Sequence, residues 1–269
     1  MRFGTHVSSA GGVSLAAGRA HDLGCDTLQI FTASPRQWKA RPISAAEATA
    51  LQQLRRKYRL HPLVVHANYL INVASDRQLI RRPSMTALRG ELERARAIAA
   101  DFLVLHPGSG TLDRCVEGIR QAAKGFDWGG LMLLIENMAG GGQHLAGSFA
   151  AVAAILDGLD GLPAGACIDT CHSWAAGYDL VTPDGYTATM QELQATVGLQ
   201  RVPVFHANDA KTARGSHHDR HEHIGDGQLG AGAFRRLLHD PRLRSKAFLV
   251  ETPPEGQAHD LAVLRGLAK

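Results

Sequence analysis

Short apolar segments alternate along the chain with longer segments of helical periodicity. Eight apolar segments are predicted to be strands: Arg2–Ser8, Thr27–Phe31, Leu63–His66, Phe102–His106, Leu131–Glu136, Ala166–Asp169, Val202–His206 and Ala247–Glu251. Between them, apolar residues recur at helical spacing in Ala45–Tyr58, Met85–Ala99, Phe149–Leu156 and Phe234–Leu238. Eight repeats in 269 residues leave about 34 residues for each, which is the length of one βα unit.

This alternation favours a parallel sheet, and eight repeats favour a closed barrel. Strands that alternate with helices are typical of α/β proteins, and eight such units form a (β/α)8 TIM barrel. An open doubly wound sheet is the alternative. The glycines Gly140-Gly141-Gly142 follow a predicted strand, but the chain has no GxGxxG leading into a helix with a later acidic residue. We therefore predict a single TIM-barrel domain over residues 1–269.

Composition adds few constraints. Apolar residues make up 45% and charged residues 20%, which is typical of a soluble globular protein. The first residues turn polar at once, as a signal peptide does not, and no apolar run is long enough to span a membrane, so we expect a cytoplasmic protein. The formal net charge of +4 and the pI of about 9.0 permit a polyanionic partner without requiring one. The four scattered cysteines are expected to be reduced thiols.

Most of the predicted strands end in a residue that can bind a metal. The chain has 14 histidines, and six strands end in His66, His106, Glu136, Asp169, His206 and Glu251. Successive members of this set are separated by 30 to 45 residues, or roughly one βα unit. Because the strands of a parallel barrel end at one rim, where active sites lie, these side chains should converge there. His172, three residues beyond Asp169, is a further candidate, as are Asp219 and His221 in the loop after the strand that ends in His206.

Each candidate also has a structural explanation when it is taken alone. A histidine at a strand end is commonly a hydrogen-bonded structural residue, and a glutamate there is commonly a helix cap. The tract from His217 to His223 reads equally well as a solvated loop. Six polar strand ends at one rim are harder to explain in this way, because unpaired buried carboxylates are costly. Coordination of metal ions removes that cost.

The ligand types indicate which metal the rim would hold. Imidazole and carboxylate suit zinc first, then manganese or iron, and Cys167 and Cys171 are interpreted as packing residues. Nine ligands are too many for one ion, so we predict three ions that share a bridging carboxylate and keep open positions for catalysis. Three divalent ions (+6) and four carboxylates (−4) leave a charge of +2. Such a cluster suits an anionic substrate and in-line cleavage of a phosphoester.

Short motifs that occur in order along the chain carry a resemblance to a known family. They are Gly4-Thr5-His6-Val7-Ser8, Pro35-Arg36-Gln37-Trp38, His66-Ala67-Asn68-Tyr69-Leu70-Ile71-Asn72, Leu105-His106-Pro107-Gly108, Ile135-Glu136-Asn137, Asp169-Thr170-Cys171-His172, His206-Ala207-Asn208-Asp209, Asp219-Arg220-His221 and Glu251-Thr252-Pro253. Together they resemble the zinc-dependent apurinic/apyrimidinic endonucleases of the endonuclease IV type (AP endonuclease family 2). The resemblance covers nearly the whole chain.

The resemblance implies a trinuclear zinc centre. The three expected ligand sets are His66, His106 and Glu136; then Glu136, Asp169, His206 and Glu251; then His172, Asp219 and His221. Glu136, Asp169 and Glu251 are also the expected catalytic carboxylates. The implied reaction is hydrolysis of the DNA phosphodiester 5′ to an abasic site, which leaves a 3′-hydroxyl for base excision repair, together with trimming of blocked 3′ ends.

The resemblance also implies how double-stranded DNA with an abasic site is recognised. Arg36, Tyr69 and Leu70 are the expected DNA contacts, with side chains that fill the gap left by the extruded nucleotide. We expect a monomer, because one barrel rim can engage a duplex alone. Departures at Ala33-Ser34 and Ala67-Asn68, and the added His217-His218, bear on lesion preference and metal affinity rather than on the chemistry.

Two other classes of function remain open from the residues alone. A sugar isomerase or epimerase would also place His, Glu and Asp at the rim of a barrel, around one or two divalent ions. Such an enzyme needs no Asp219-Arg220-His221 motif and usually carries a lysine or a second glutamate for proton transfer. The third hypothesis is a metal-loaded protein that binds damaged DNA without catalytic turnover. The intact ligand set, which includes Glu251, argues against it.

Overall fold

Eight parallel strands close into a barrel in the computed structural model, which describes residues 1–269. They are β1 (Arg2–His6), β2 (Thr27–Ile30), β3 (Leu63–His66), β4 (Phe102–Leu105), β5 (Met132–Glu136), β6 (Ala164–Asp169), β7 (Val204–His206) and β10 (Ala247–Val250). Around the barrel the order is β1-β10-β7-β6-β5-β4-β3-β2, so each strand pairs with its sequence neighbours among these eight. The predicted (β/α)8 barrel is confirmed and the open sheet is excluded.

Helices follow the strands and cover the outside of the barrel. They are α1 (Val13–Asp22), α2 (Ala45–Tyr58), α3 (Gln78–Ala97), α4 (Leu112–Ala122), α5 (Phe149–Gly158), α6 (Thr170–Ala175), α7 (Pro183–Thr196), α8 (Gly230–His239) and α9 (Gln257–Leu267). Helix α2 has the predicted bounds because Ser44 and Glu47 form a capping box at its start. The loop after β7 contains a two-stranded antiparallel ladder of β8 (Asp209–Ala210) and β9 (His221–Glu222). None of the helices combines the length and the apolar character that crossing a membrane would need.

Helix α3 begins earlier than the sequence indicates. The prediction started this helix at Met85, beyond Pro83, whereas the structure starts it at Gln78 and includes the proline. A proline inside a helix leaves the carbonyl four residues earlier without its partner. Here that residue is Leu79 in the first turn, whose side chain is 86% exposed. Water can reach this turn, so the early proline is tolerated.

The alternation of side chains along each strand links the barrel core to its rim. Seven residues fill the barrel interior as a separate apolar cluster: Val64, Val104, Leu134, Cys167, Val204, Ala247 and Leu249. Successive strand residues point to opposite faces, so the residue two positions further on faces the same interior. For six of the strands that residue is a predicted ligand, for example His66 after Val64 and Glu136 after Leu134. These six predicted ligands therefore form the uppermost layer of the barrel interior.

Glycine at position 4 allows β1 and β2 to approach closely. A Cβ atom at Gly4 would lie 2.0 Å from the Thr27 carbonyl oxygen, which belongs to the paired strand. We expect Gly4→Ala to destabilise the fold by about 2–3 kcal/mol, because backbone atoms of the barrel must shift. At Gly18 in α1 a Cβ would meet nothing within 4 Å, so Gly18→Ala should be neutral or stabilising by up to about 1 kcal/mol. Urea unfolding of both variants measures the difference, and equal stabilities would contradict the prediction.

Candidate metal centre

The first predicted ligand set meets around one oxygen of Glu136. Oε2 of this carboxylate lies 3.3 Å from Nε2 of His66 and 3.0 Å from Nε2 of His106. His66 and Glu136 are almost fully buried, whereas His106 is partly open to solvent. The three ligand atoms lie within one metal-sized group, as predicted from the strand ends.

The second set shares Glu136 through its other oxygen. Oε1 of Glu136 lies 2.9 Å from Nδ1 of His206, and the same nitrogen is 3.2 Å from Oε2 of Glu251. Oδ2 of Asp169 is 3.9 Å from Nδ1 of His206. These four residues form a second group of convergent ligand atoms. The two oxygens of Glu136 thus face two different ligand groups.

The third set lies at the edge of the rim, where the loop after β7 folds back over α6. Nε2 of His172 is 3.1 Å from Oδ2 of Asp219, and Nε2 of His221 is 3.0 Å from Oδ1 of Asp219. Asp169 is also near, with Oδ2 3.7 Å from Nε2 of His221. The side chain of Asp219 is 47% exposed, so this end of the centre opens to solvent. The buried Cys171 thiol lies beside Asp219, with its sulfur 4.0 Å from Oδ1.

Hydrogen bonds orient the histidine rings. Nδ1 of His66 contacts the Ala67 carbonyl oxygen at 2.8 Å, and Nδ1 of His172 contacts the Asn137 carbonyl oxygen at 2.8 Å. A ring that donates from Nδ1 keeps the lone pair of Nε2 free for a metal, which is the usual arrangement of a ligating histidine. In both rings, Nε2 is the atom that faces the clustered carboxylates.

The donor atoms fit bound cations better than hydrogen bonds. Nε2 of His172 and Nε2 of His221 are buried and have no hydrogen-bond partner, although Asp219 oxygens lie about 3 Å away. Buried polar groups in proteins are normally hydrogen-bonded, so such unpartnered ring nitrogens call for another ligand. Nitrogen and oxygen donors that converge without hydrogen-bond geometry are suited to zinc or a similar divalent ion. The residues present therefore fit a metal cluster.

The charges at the centre are strongly coupled. Burial alone would raise the pKa of Glu136, but the imidazoles of His206 and His106 lower that pKa well below its usual range. Burial would lower the pKa of His221, but the carboxylate of Asp219 raises it to about 9. Glu136 is thus held ionised, and His221 holds both of its ring protons. Metal ions would displace those protons and take over the neutralisation of the carboxylates.

Two asparagines without a predicted role hold the segments that carry the ligand carboxylates. Nδ2 of Asn208 donates to Oδ2 of Asp169 at 2.7 Å, and Oδ1 of Asn208 accepts from the Glu251 backbone N–H at 2.8 Å. Oδ1 of Asn137 accepts from the Asp169 backbone N–H at 2.7 Å. Both lie within two residues of a predicted ligand, in Glu136-Asn137 and His206-Ala207-Asn208. An amide so close to a strand-end ligand is the signal that could have identified them.

The three predicted DNA contacts lie on neighbouring loops beside the centre. Arg36 is exposed in the loop after β2, and Leu70 is half-buried in the loop after β3. The Tyr69 side chain is 52% exposed, and its ring centroid lies 5.2 Å from that of His66 and 5.7 Å from that of His106. Tyr69 therefore stands over the first ligand set with one side free.

Asn68, which was not assigned a role, ties these two loops together. Its amide nitrogen donates to the carbonyl oxygens of Ser34 and Gln37, at 3.0 and 2.6 Å, in the loop that carries Arg36. Its Oδ1 accepts from the backbone N–H of Leu70 at 2.7 Å. One buried amide thus fixes the loop of Arg36 against the loop of Tyr69 and Leu70.

Fold and site together define a class of protein: a TIM barrel with clustered side chains that can bind metal ions at the carboxyl ends of its strands. The AP endonuclease 2 family model, described as a xylose isomerase-like TIM barrel, matches residues 17–267. The chain is 47% identical over 281 aligned positions to the probable endonuclease 4 of Solibacter usitatus, covering 100% of this chain and 97% of the relative. The chain belongs to the endonuclease IV family.

Solved structures agree with this assignment. Endonuclease IV from Thermus thermophilus superposes with a TM-score of 0.91 at 38% identity, covering 99% of this chain and 98% of that one. A D-tagatose 3-epimerase-like protein superposes with a TM-score of 0.73 at 19% identity, covering 99% of this chain and 97% of that one. At that identity the likeness shows a shared fold alone. Family membership confirms the predicted class of enzyme, a metal-dependent hydrolase of the nuclease type.

Proposed function

We propose that this protein is a zinc-dependent DNA repair endonuclease. It hydrolyses the phosphodiester 5′ to an abasic site in double-stranded DNA, leaves a 3′-hydroxyl, and trims blocked 3′ ends. One observation carries the proposal: nine imidazoles and carboxylates from six strand ends, helix α6 and the loop after β7 converge in three adjoining sets, of which the first two share Glu136. One or two ions, as in the alternative isomerase hypothesis, have no use for the set that includes Asp219 and His221.

The centre has the components that phosphodiester hydrolysis requires. When bound, zinc ions supply Lewis-acid activation of water and neutralise charge on the phosphoryl group. Glu136 and Glu251 hold the middle of the centre, with carboxylates that the surrounding imidazoles keep ionised. Asp219 holds the solvent-exposed edge, where a phosphate can enter. The carboxylates of the chain would thus hold the ions at the mouth of the barrel.

A cavity beside the centre offers a place for the DNA backbone. It has a volume of about 680 Å³ and is lined by the loops after β1 and β2, including His6, Ser8, Ser9 and Lys39. His6 connects this cavity to the centre, because its Nδ1 lies 3.6 Å from Oε1 of Glu251. Hydroxyls, backbone N–H groups and a lysine are typical partners of DNA phosphates.

Cleavage of a defined duplex tests the proposal. An oligonucleotide with one abasic site and the matched undamaged duplex are incubated with protein that has been washed briefly in EDTA. We expect incision only at the lesion, on its 5′ side, with zinc retained in the protein. A metal-loaded protein that leaves the abasic duplex intact would contradict the proposal and favour sugar isomerisation. Binding of the abasic duplex without incision would favour a damage-binding protein.

Tyr69 is expected to govern preference for the lesion rather than metal binding. Its exposed ring can stack in the gap of the duplex, and loss of such stacking costs about 1–3 kcal/mol. We expect Tyr69→Ala to keep the wild-type zinc content and to lose roughly 10-fold or more of its preference for abasic over undamaged DNA. Tyr69→Phe keeps the ring and serves as the control. Competition binding with the two duplexes measures the preference. An unchanged ratio in Tyr69→Ala would show that this residue does not fill the gap left by the extruded nucleotide.

A further inference from the structure

Strands β1 and β2 contribute no predicted ligand, yet their ends reach the same layer of the barrel. The residue of β2 at this level is Gln29, a fully buried amide in a strand that is buried throughout. Gln29 pairs in register with His6 of β1. Its side chain lies between two residues of the second ligand set, His206 and Glu251.

The neighbours of Gln29 fix which way its amide faces. Nε2 of Gln29 donates to Oε1 of Glu251 at 2.5 Å and lies 3.0 Å from Nδ1 of His6. The opposite orientation would place two oxygens, one of them a carboxylate oxygen, at the distance of a short hydrogen bond. The amide nitrogen must therefore face Glu251, and the amide oxygen must face His206. Both hydrogens of the amide then have acceptors.

This orientation in turn sets the tautomer of His206. Nε2 of His206 lies 2.9 Å from Oε1 of Gln29, which can only accept, so the proton of the ring must sit on Nε2. In the neutral ring that a metal would bind, the lone pair is then on Nδ1, the atom that faces Glu136 and Glu251 at 2.9 and 3.2 Å. His66 and His172 have the opposite arrangement, with Nδ1 turned to backbone carbonyls. His206 has a glutamine amide in place of the carbonyl.

We propose that Gln29 is a positioning residue that selects the ligand atoms of the second metal set. It holds the proton of His206 on Nε2, so that Nδ1 is the ligand atom. It occupies Oε1 of Glu251, so that Oε2 is the ligand oxygen. One buried amide on a strand without ligands thus orients two ligands on two other strands. The inference rests on the proposed function only in treating the centre as a zinc centre.

The tautomer in the wild-type protein is the direct test. In metal-loaded protein labelled with ¹⁵N-histidine, long-range ¹H–¹⁵N correlation spectra distinguish a proton on Nε2 from one on Nδ1, and His206→Asn identifies the signal. We expect His206 to carry its proton on Nε2, whereas His66 and His172 carry theirs on Nδ1. A proton on Nδ1 of His206 would overturn the proposal without any need for a Gln29 variant to fold.

Substitution of Gln29 tests the effect on metal binding. Gln29→Met keeps the side-chain volume and removes both hydrogen bonds, and loss of such an outer partner typically weakens metal binding by about 10–100-fold. We expect that loss in zinc competition with a chelator, together with a changed visible spectrum of the cobalt-substituted protein. Thr27→Val is the matched control, because Thr27 is buried on the same strand and donates to the Pro62 carbonyl oxygen. It should leave both readouts unchanged.

The readouts separate this inference from the proposed nuclease activity. Equal zinc affinity and an unchanged cobalt spectrum in folded Gln29→Met would overturn the role of Gln29, whatever the protein does to DNA. An equal loss in Thr27→Val would reduce that role to general packing and would also overturn it. If both metal readouts change only in Gln29→Met while the wild-type protein leaves abasic DNA intact, the inference stands and the proposed function fails.

Discussion

Glu251→Gln should leave the barrel folded and reduce incision of abasic DNA by roughly 10³-fold or more, which corresponds to about 4 kcal/mol of transition-state stabilisation. Oε2 of Glu251 lies 3.2 Å from Nδ1 of His206 and faces the second ligand set, while Oε1 accepts from Gln29. An amide of the same size removes a negative charge from the middle of the centre. It also offers a neutral ligand in place of an ionised one.

The substitution also disturbs the neighbours of Glu251. If the new amide nitrogen faces Gln29, two donors meet; if it faces His206, a donor replaces the ligand oxygen. Single-turnover incision under saturating protein measures the loss, and metal analysis shows whether the second ion is retained. Glu255→Gln is the control, because Glu255 is exposed four residues further along the same loop. Near wild-type incision by Glu251→Gln would contradict the role of this carboxylate.

Much of the centre could be predicted because strand periodicity and topology act together. A parallel barrel aligns the ends of its strands, so His66, Glu136 and Glu251 could be placed at one rim without knowledge of any contact. The alternation of side chains then places them above the residues of the barrel interior, and the structure confirms this for Val64 and Leu134. Ligands on strands are therefore the predictable part of the site.

Residues that act through hydrogen bonds were harder to predict. Gln29, Asn68 and Asn208 carry amides, which occur in turns, caps and buried networks alike, so their type alone does not indicate a function. Their partners are distant in sequence: Asn68 bonds to residues 31 and 34 positions away, and Gln29 to His206, 177 positions away. Such pairs are set by tertiary packing. A polar residue within a wholly buried strand was the available signal for Gln29.

The bounds of the helices were also hard to predict where they depend on tertiary packing or on access of water. The start of helix α2 is marked in the sequence because Ser44 and Glu47 supply a local capping box. The start of α3 depends on whether water reaches the turn before Pro83, which the sequence does not reveal. Helices α1, α4, α6, α7 and α9 were not located from the sequence. The bounds of a helix can thus be predicted from the sequence only where neighbouring residues in the sequence form its cap.

The third ligand set depends on a single buried carboxylate beneath its loop. Asp219 and His221 lie in the long segment between β7 and α8, which contains little regular structure. Asp209 at the start of this segment is fully buried, and its two oxygens accept from the backbone N–H groups of five residues: Ala210, Gly225, Gly227, Leu229 and Gly230. All five distances lie between 2.8 and 3.1 Å. The carboxylate thus closes the loop on itself and holds the start of α8.

We therefore expect Asp209→Ala to release the third ligand set while the first two stay in place. The substitution leaves several buried N–H groups without a partner, and each such group costs about 1–3 kcal/mol unless water replaces the carboxylate. The expected loss of stability is about 3–5 kcal/mol, with a lower Tm and roughly one zinc ion fewer per chain. Asp226→Ala, an exposed position in the same loop, is the control. Differential scanning calorimetry and metal analysis check the prediction, and a folded Asp209→Ala protein with unchanged zinc content would show that Asp219 and His221 are positioned without this carboxylate.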